Sequence, residues 1–85
     1  PLSEETYVYR IYMIEEAKRV TVNLYDPDRL FFERQLLTVD EPIQGINEGE
    51  IERDEVGEPG LYKAVMTVEL KDDTFVHYDL YLIIE

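Results

Sequence analysis

The 85-residue chain contains no cysteine and no tryptophan, a single histidine and only three lysines. Without cysteine there is neither a disulfide framework nor a thiolate metal site, and reducing and oxidising compartments are equally allowed. One histidine cannot supply the paired spacings of a zinc centre. No glycine-rich phosphate loop occurs, and no threonine or serine sits in a Gly-flanked nucleophile elbow. Runs of about 18 apolar residues, the length of a membrane span, are also missing. Pro1-Leu2-Ser3-Glu4-Glu5 lacks the apolar stretch of a signal peptide. A mature product or an excised domain would read the same way, so the compartment stays open. These absences lead us to expect a protein that is not an enzyme and that holds no cofactor and no metal ion.

What is present is acid and strand-forming side chains. Twenty Asp and Glu against eight Lys and Arg give a formal charge of −12. Self-repulsion at that level favours solubility, opposes compaction, and disfavours direct contact with nucleic acid or an anionic membrane. A charged partner should therefore be basic. Few lysines would suit adaptation to high salt, whereas thirteen Glu against seven Asp and seven Ile suit it less well. Apolar residues make up 45% and aromatics 12%, enough for a core and too many for a disordered tail. At this length we expect one domain over residues 1–85, burying only about 60–65% of its unfolded surface.

Seven Tyr, three Phe and many Val, Ile and Thr suit pleated, half-buried surfaces. Thr6 to Ile14 reads as a strand with Tyr7, Tyr9, Ile11 and Met13 on one face, and Glu15 to Arg19 as a polar connection. Val20 to Tyr25 alternates with Val20, Val22 and Leu24 inward. Asp26-Pro27-Asp28-Arg29 is a turn, because proline pre-sets one backbone angle and aspartate satisfies local amides. Leu30 to Arg34 then returns, and Gln35 to Val39 continues it past a bulge, since apolar parity shifts from Leu30/Phe32 to Leu37/Val39. A rival reading has Asp28 capping a helix from Arg29 to Leu37. Asp40 to Gly60 holds all four glycines and reads as a long loop with at most one short strand, Glu50 to Arg53.

Leu61 to Leu70 and Thr74 to Ile84 form the clearest hairpin. Tyr62, Ala64, Met66, Val68 and Leu70 share one face with Val76, Tyr78, Leu80, Leu82 and Ile84 only if the loop has an odd length. A three-residue loop, Lys71-Asp72-Asp73, meets that condition with Asp73 left-handed, and pairs Val68 with Val76, Met66 with Tyr78 and Ala64 with Leu80.

Six to seven short strands with turns between them indicate an all-β, antiparallel two-sheet sandwich or a barrel. Val20-Thr-Val-Asn-Leu-Tyr-Asp-Pro-Asp28 followed by a strand, and Pro59-Gly-Leu-Tyr-Lys-Ala-Val-Met-Thr-Val68 before the last strand, resemble immunoglobulin-like sandwich domains. In that family a glycine-led penultimate strand carries a tyrosine near its start, as Gly60-Leu61-Tyr62 does here. The resemblance covers most of the chain at the level of pattern, but the cysteine pair and tryptophan of antibody domains are missing. It implies a fold whose members mostly bind, adhere or space other domains, and it names no ligand.

Among reactive groups, His77 falls on the outer face opposite Thr67, beside Glu69 and Asp79, where a solvated cross-strand role is the plain reading. Asp26/Asp28 and Asp72/Asp73 are carboxylate pairs, yet calcium needs six to eight oxygens and turn chemistry accounts for each pair. The densest acid lies between Asp40 and Glu58. Glu48, Glu50, Glu52, Asp54, Glu55 and Glu58 are the candidate partner-binding residues: either a solvated loop or a docking surface for a basic protein. If that piece is a strand, three glutamates line one side at about 6.6–7 Å, similar to phosphates along a nucleic-acid strand. Tyr12, Phe31 and Tyr81 fall on the less apolar faces, as rim residues or as a contact surface. Two functions follow: a non-catalytic interaction or structural module, and an acidic inhibitor or nucleic-acid mimic that binds a basic protein surface.

Overall fold

In a computed structural model, residues 6–28 and 31–85 are described, and they form six strands and one helical turn. In order these are β1 (Thr6–Met13), β2 (Arg19–Tyr25), β3 (Phe32–Asp40), β4 (Gly45–Glu52), α1 (Arg53–Val56), β5 (Gly60–Glu69) and β6 (Phe75–Ile84). Every pairing is antiparallel. β1 and β4 make a two-stranded sheet, while the other sheet runs β3-β2-β5-β6. The backbone fills a slab of 37 × 35 × 15 Å, a thickness that fits two layers about 10 Å apart.

The hairpin of β5 and β6 has the register its alternation demands: Val68 faces Val76, Met66 faces Tyr78 and Ala64 faces Leu80. Lys71 to Asp73 is the loop, closed by the Leu70 amide on the Thr74 carbonyl at 2.8 Å. Asp73 takes φ 69°, and Lys18 forms an ion pair with its carboxylate. Asp72 accepts bonds from the Thr74 hydroxyl (2.5 Å) and amide (3.1 Å). At the other turn, Asp26 accepts the Asp28 amide at 2.9 Å.

β3 is a strand over Phe32–Asp40, so the helix alternative is excluded from Phe32 onward; Arg29 and Leu30 lie outside the described residues. The parity shift has a physical source. The register passes from Val22/Leu37 to Asn23/Gln35 and again from Leu24/Arg34 to Tyr25/Phe32. Leu36 and Glu33 are the extra residues, and the first bulge lets Leu36 and Leu37 both pack on the core.

The expectation of a long loop from Asp40 to Gly60 is corrected: that stretch holds the eight-residue β4 and α1. Its inward positions carry almost no apolar side chain because its neighbour fills the space. A Cβ on Gly49 would collide with the Tyr9 ring. Asn47 takes the next inward place and ties the preceding turn, donating to the Ile43 carbonyl and accepting the Ile43 amide, both at 2.9 Å. Ile51 then closes the core.

Burial of alternating residues joins the sheets. Val22, Leu24, Tyr62, Ala64 and Ile84 pack with Ile51, Val56, Tyr7 and Tyr9; Val20 and Val68 pack with Met13 and Ala17. Two strands cannot cover four. On the β6 side an apolar groove of about 480 Å³ opens between Tyr12–Glu15 and Met66, Val68, Leu70, Val76 and Tyr78. The shared apolar face expected for the even positions of β6 is therefore only partly covered. Tyr78 and Leu80 lie on the core face yet remain 49% and 42% exposed.

Candidate functional site

β4 turns Ile46, Glu48, Glu50 and Glu52 outward, since successive side chains of a strand alternate. β1 sets Tyr12, Arg10, Val8 and Thr6 opposite them in that order. The three glutamates thus stand in one row beside exposed Val8, Tyr12 and Ile46. Asp54 and Glu55 continue the acid into α1, and Glu58 follows in the turn before β5. All six candidate residues are exposed; Glu48, Glu50 and Glu52 share the outward side of β4, and Asp54, Glu55 and Glu58 follow them in the chain through α1 and the turn before β5.

Two cations border this face. The Arg10 guanidinium pairs with Glu48 at 2.9 Å. Arg53 instead lies over the Tyr7 ring, 4.6 Å from its centroid. Among the described residues, ion pairs reach Glu48 but not Glu50, Glu52, Asp54 or Glu55. An uncompensated anionic row flanked by exposed apolar side chains can attract a cationic surface and then exclude water from the contact. A loop reading of this stretch hides the apolar members. The signal that reveals them is the period of two running from Ile46 through Glu52.

Glu58 has a second role, because its backbone carbonyl accepts the Tyr62 hydroxyl at 2.8 Å. The Arg34 guanidinium lies over the same Tyr62 ring, 5.3 Å from the centroid. Gly57, at φ 93°, passes so close that a Cβ there would strike that guanidinium. Arg34 Nε and Nη2 are enclosed with no hydrogen-bond partner among the described residues.

The other reactive groups are engaged in local structure. His77 Nδ1 lies 3.0 Å from the Thr67 hydroxyl across the hairpin, on the outer face. Hydrogen bonds from the Thr74 hydroxyl and amide hold the Asp72 carboxyl below its ordinary value. The Asp73 and Asp40 carboxylates raise Lys18 and Arg19 respectively, chiefly through their hydrogen bonds. No cluster of three or more His, Asp or Glu suited to a metal ion occurs among the described residues. No described helix is long and apolar enough to cross a membrane.

A second exposed surface crosses the outer side of the four-stranded sheet. Phe32 meets Tyr25 edge-on at 5.7 Å. The row continues through Lys63 to Tyr81, with Leu61 and Ile83 beside it.

No family model, curated protein or solved structure matches this chain.

Proposed function

We propose that the chain is a non-catalytic interaction module with an immunoglobulin-like sandwich fold, and that it binds a basic protein partner through the β1–β4 face. The fold reading is supported by strand order. Taken in sequence as strands B, C, C′, E, F and G, the six strands give a B–E pair and a C′-C-F-G sheet, as in variable-type domains. Tyr62 near the start of β5, bonded to a carbonyl four residues upstream, matches the tyrosine corner of such domains. Ala64 stands where the second cysteine would be, so packing takes the place of the disulfide.

The observation that carries the binding reading is the row of Glu50 and Glu52, with Asp54 and Glu55 beyond it, left without cationic partners among the described residues and set next to exposed Val8 and Tyr12. The remaining described acids are spread over the four-stranded sheet and the connecting turns, for example Asp28, Asp40, Asp72 and Asp79. That spread weighs for a module with one acidic face and against a phosphate-like ridge.

The test uses an oligolysine peptide and calorimetric titration at low and physiological salt. Neutralising Glu50, Glu52 and Glu55 to Gln should weaken binding by about fivefold or more relative to neutralising Glu15, Glu16 and Glu33, which leaves the same net charge. Equal weakening would mean that only total charge matters, and the assignment of the face would fall.

A further inference from the structure

Sheets end in unpaired N–H and C=O groups, and proteins guard such edges with charge, proline or bulges. β3 carries two bulges, and β4 carries Glu48, Glu50 and Glu52. β6 has neither proline nor bulge, and the acid it carries, Asp79, lies 3.6 Å from the Lys63 ammonium of its neighbour β5. Over ten residues, Phe-Val-His-Tyr-Asp-Leu-Tyr-Leu-Ile-Ile, its one carboxylate is Asp79 and its register with β5 is unbroken. Both of its faces expose apolar groups: Phe75, Tyr81 and Ile83 outside, Tyr78 and Leu80 on the core side. The apolar groove opens on this same flank, between β1 and β6.

The ladder restricts what can pair there. The Leu70 amide bonds the Thr74 carbonyl, so in an antiparallel ladder the even positions of β6 bond β5 and the odd positions direct their amides and carbonyls to the free edge. An added strand must therefore meet Phe75, His77, Asp79, Tyr81 and Ile83. A second antiparallel β6 meets them in three central registers. Asp79 opposite itself buries like charges side by side. Asp79 opposite Tyr81 leaves His77 facing Ile83. Tyr78 opposite Tyr78 instead sets His77 against Asp79 twice, Phe75 against Tyr81 and Val76 against Leu80.

We propose that the chain self-associates through β6 in this last register, forming a two-fold dimer with a continuous eight-stranded sheet. The strand is self-complementary there: two His–Asp pairs and two aromatic pairs line the outer face, and Tyr78 and Leu80 of both copies cover each other over the open grooves. The −12 charge of each copy opposes association, so the dimer tightens as salt screens the repulsion.

Sedimentation velocity on the full chain between about 5 and 500 μM, at 0.1 and 0.5 M NaCl, tests this. The expected result is a concentration-dependent monomer–dimer equilibrium, stronger at high salt. His77→Glu should weaken the dimer about tenfold or more by placing two acids opposite each other. Adding Asp79→Lys to that variant should restore it, because each introduced glutamate then faces a lysine of the other copy. Tyr81→Pro, which removes an edge-directed amide and the aromatic partner of Phe75 but no ladder bond to β5, should abolish dimerisation while the thermal melt confirms a folded monomer. A monomer at every concentration and both salts would overturn the proposal. So would a dimer indifferent to both His77→Glu and Tyr81→Pro, or a double variant no better than His77→Glu alone.

Discussion

Leu24, Ala64 and Leu80 are consecutive in one cross-strand row, with Ala64 between the two leucines. Both leucines sit on the apolar face, and alternation alone treats them as equals. Leu24 is fully enclosed beneath the two-stranded sheet, whereas Leu80 lies beyond its edge at 42% exposure. Leu24→Ala removes a buried side chain and leaves a cavity that rigid sheets cannot close, a loss of about 2–5 kcal/mol. Leu80→Ala forfeits only the covered part of a transfer free energy of about 1.5–3 kcal/mol and leaves no closed cavity, so roughly 1 kcal/mol is lost. Against a total stability of about 4–13 kcal/mol for this length, the first change removes much of the margin and the second little. Urea unfolding followed by circular dichroism reads the difference. With a slope of about 1–1.5 kcal/mol/M, the midpoint should fall by about 1.3 M or more for Leu24→Ala and by less than about 1 M for Leu80→Ala. Repeating the Leu80→Ala titration after tenfold dilution separates intrinsic stability from association. Equal midpoint shifts would refute the claim that two strands leave the β6 side uncovered.

Tyr62→Phe deletes the hydroxyl that binds the Glu58 carbonyl and should cost about 0.5–1.5 kcal/mol, a drop of about 4–8 °C in Tm per kcal/mol; an unchanged melt removes the corner from the fold's support. Arg34→Met takes away two enclosed donors, each costing about 1–3 kcal/mol when unpaired, and forfeits a cation–π contact of about 0.5–2 kcal/mol. A net gain of about 0–5 kcal/mol follows from these terms, and a clear loss would show that the guanidinium is partnered in solution. Asp72 is held below 3.8 in the folded state by the Thr74 hydroxyl and amide. Its ionised form therefore adds stability that is full above the unfolded value and disappears as pH falls through the lower folded value. The stability gap between the protein and Asp72→Asn should close on acidification, and a gap independent of pH contradicts the assignment.

The chain discloses its elements unevenly, and the differences have causes. The register of the β5–β6 hairpin is legible to the residue, and its strand ends to within one residue, because ten apolar side chains of one parity permit one register and Asp73 suits the left-handed position. The bulge in β3 is legible from its parity shift. β4 is not, because its inward side is built from Gly49 under Tyr9 and Asn47 on backbone carbonyls, substitutes for the apolar residues that mark a buried face. The acidic candidates stand out by density alone; their common face depends on β4 being a strand. Ala17, fully buried in a connection that reads as polar, carries no periodic signal. Incomplete coverage of β6 is a property of sheet widths, which no local pattern encodes.

The pairing of β1 with β4 spans the entire β2–β3 hairpin: Met13 meets Gly45 only after the intervening chain has gone out and back. Neighbouring hairpins close short loops and form within about 1–10 μs, whereas this ladder must wait for a longer closure. The β2–β5 ladder, which joins Tyr25 to Lys63 across β3 and β4, faces a closure at least as long. Both non-local ladders therefore form after the hairpins, and the strand bearing Glu48, Glu50 and Glu52 takes its place late in folding. Refolding should accordingly run on the slow, millisecond-to-second scale of proteins dominated by distant contacts.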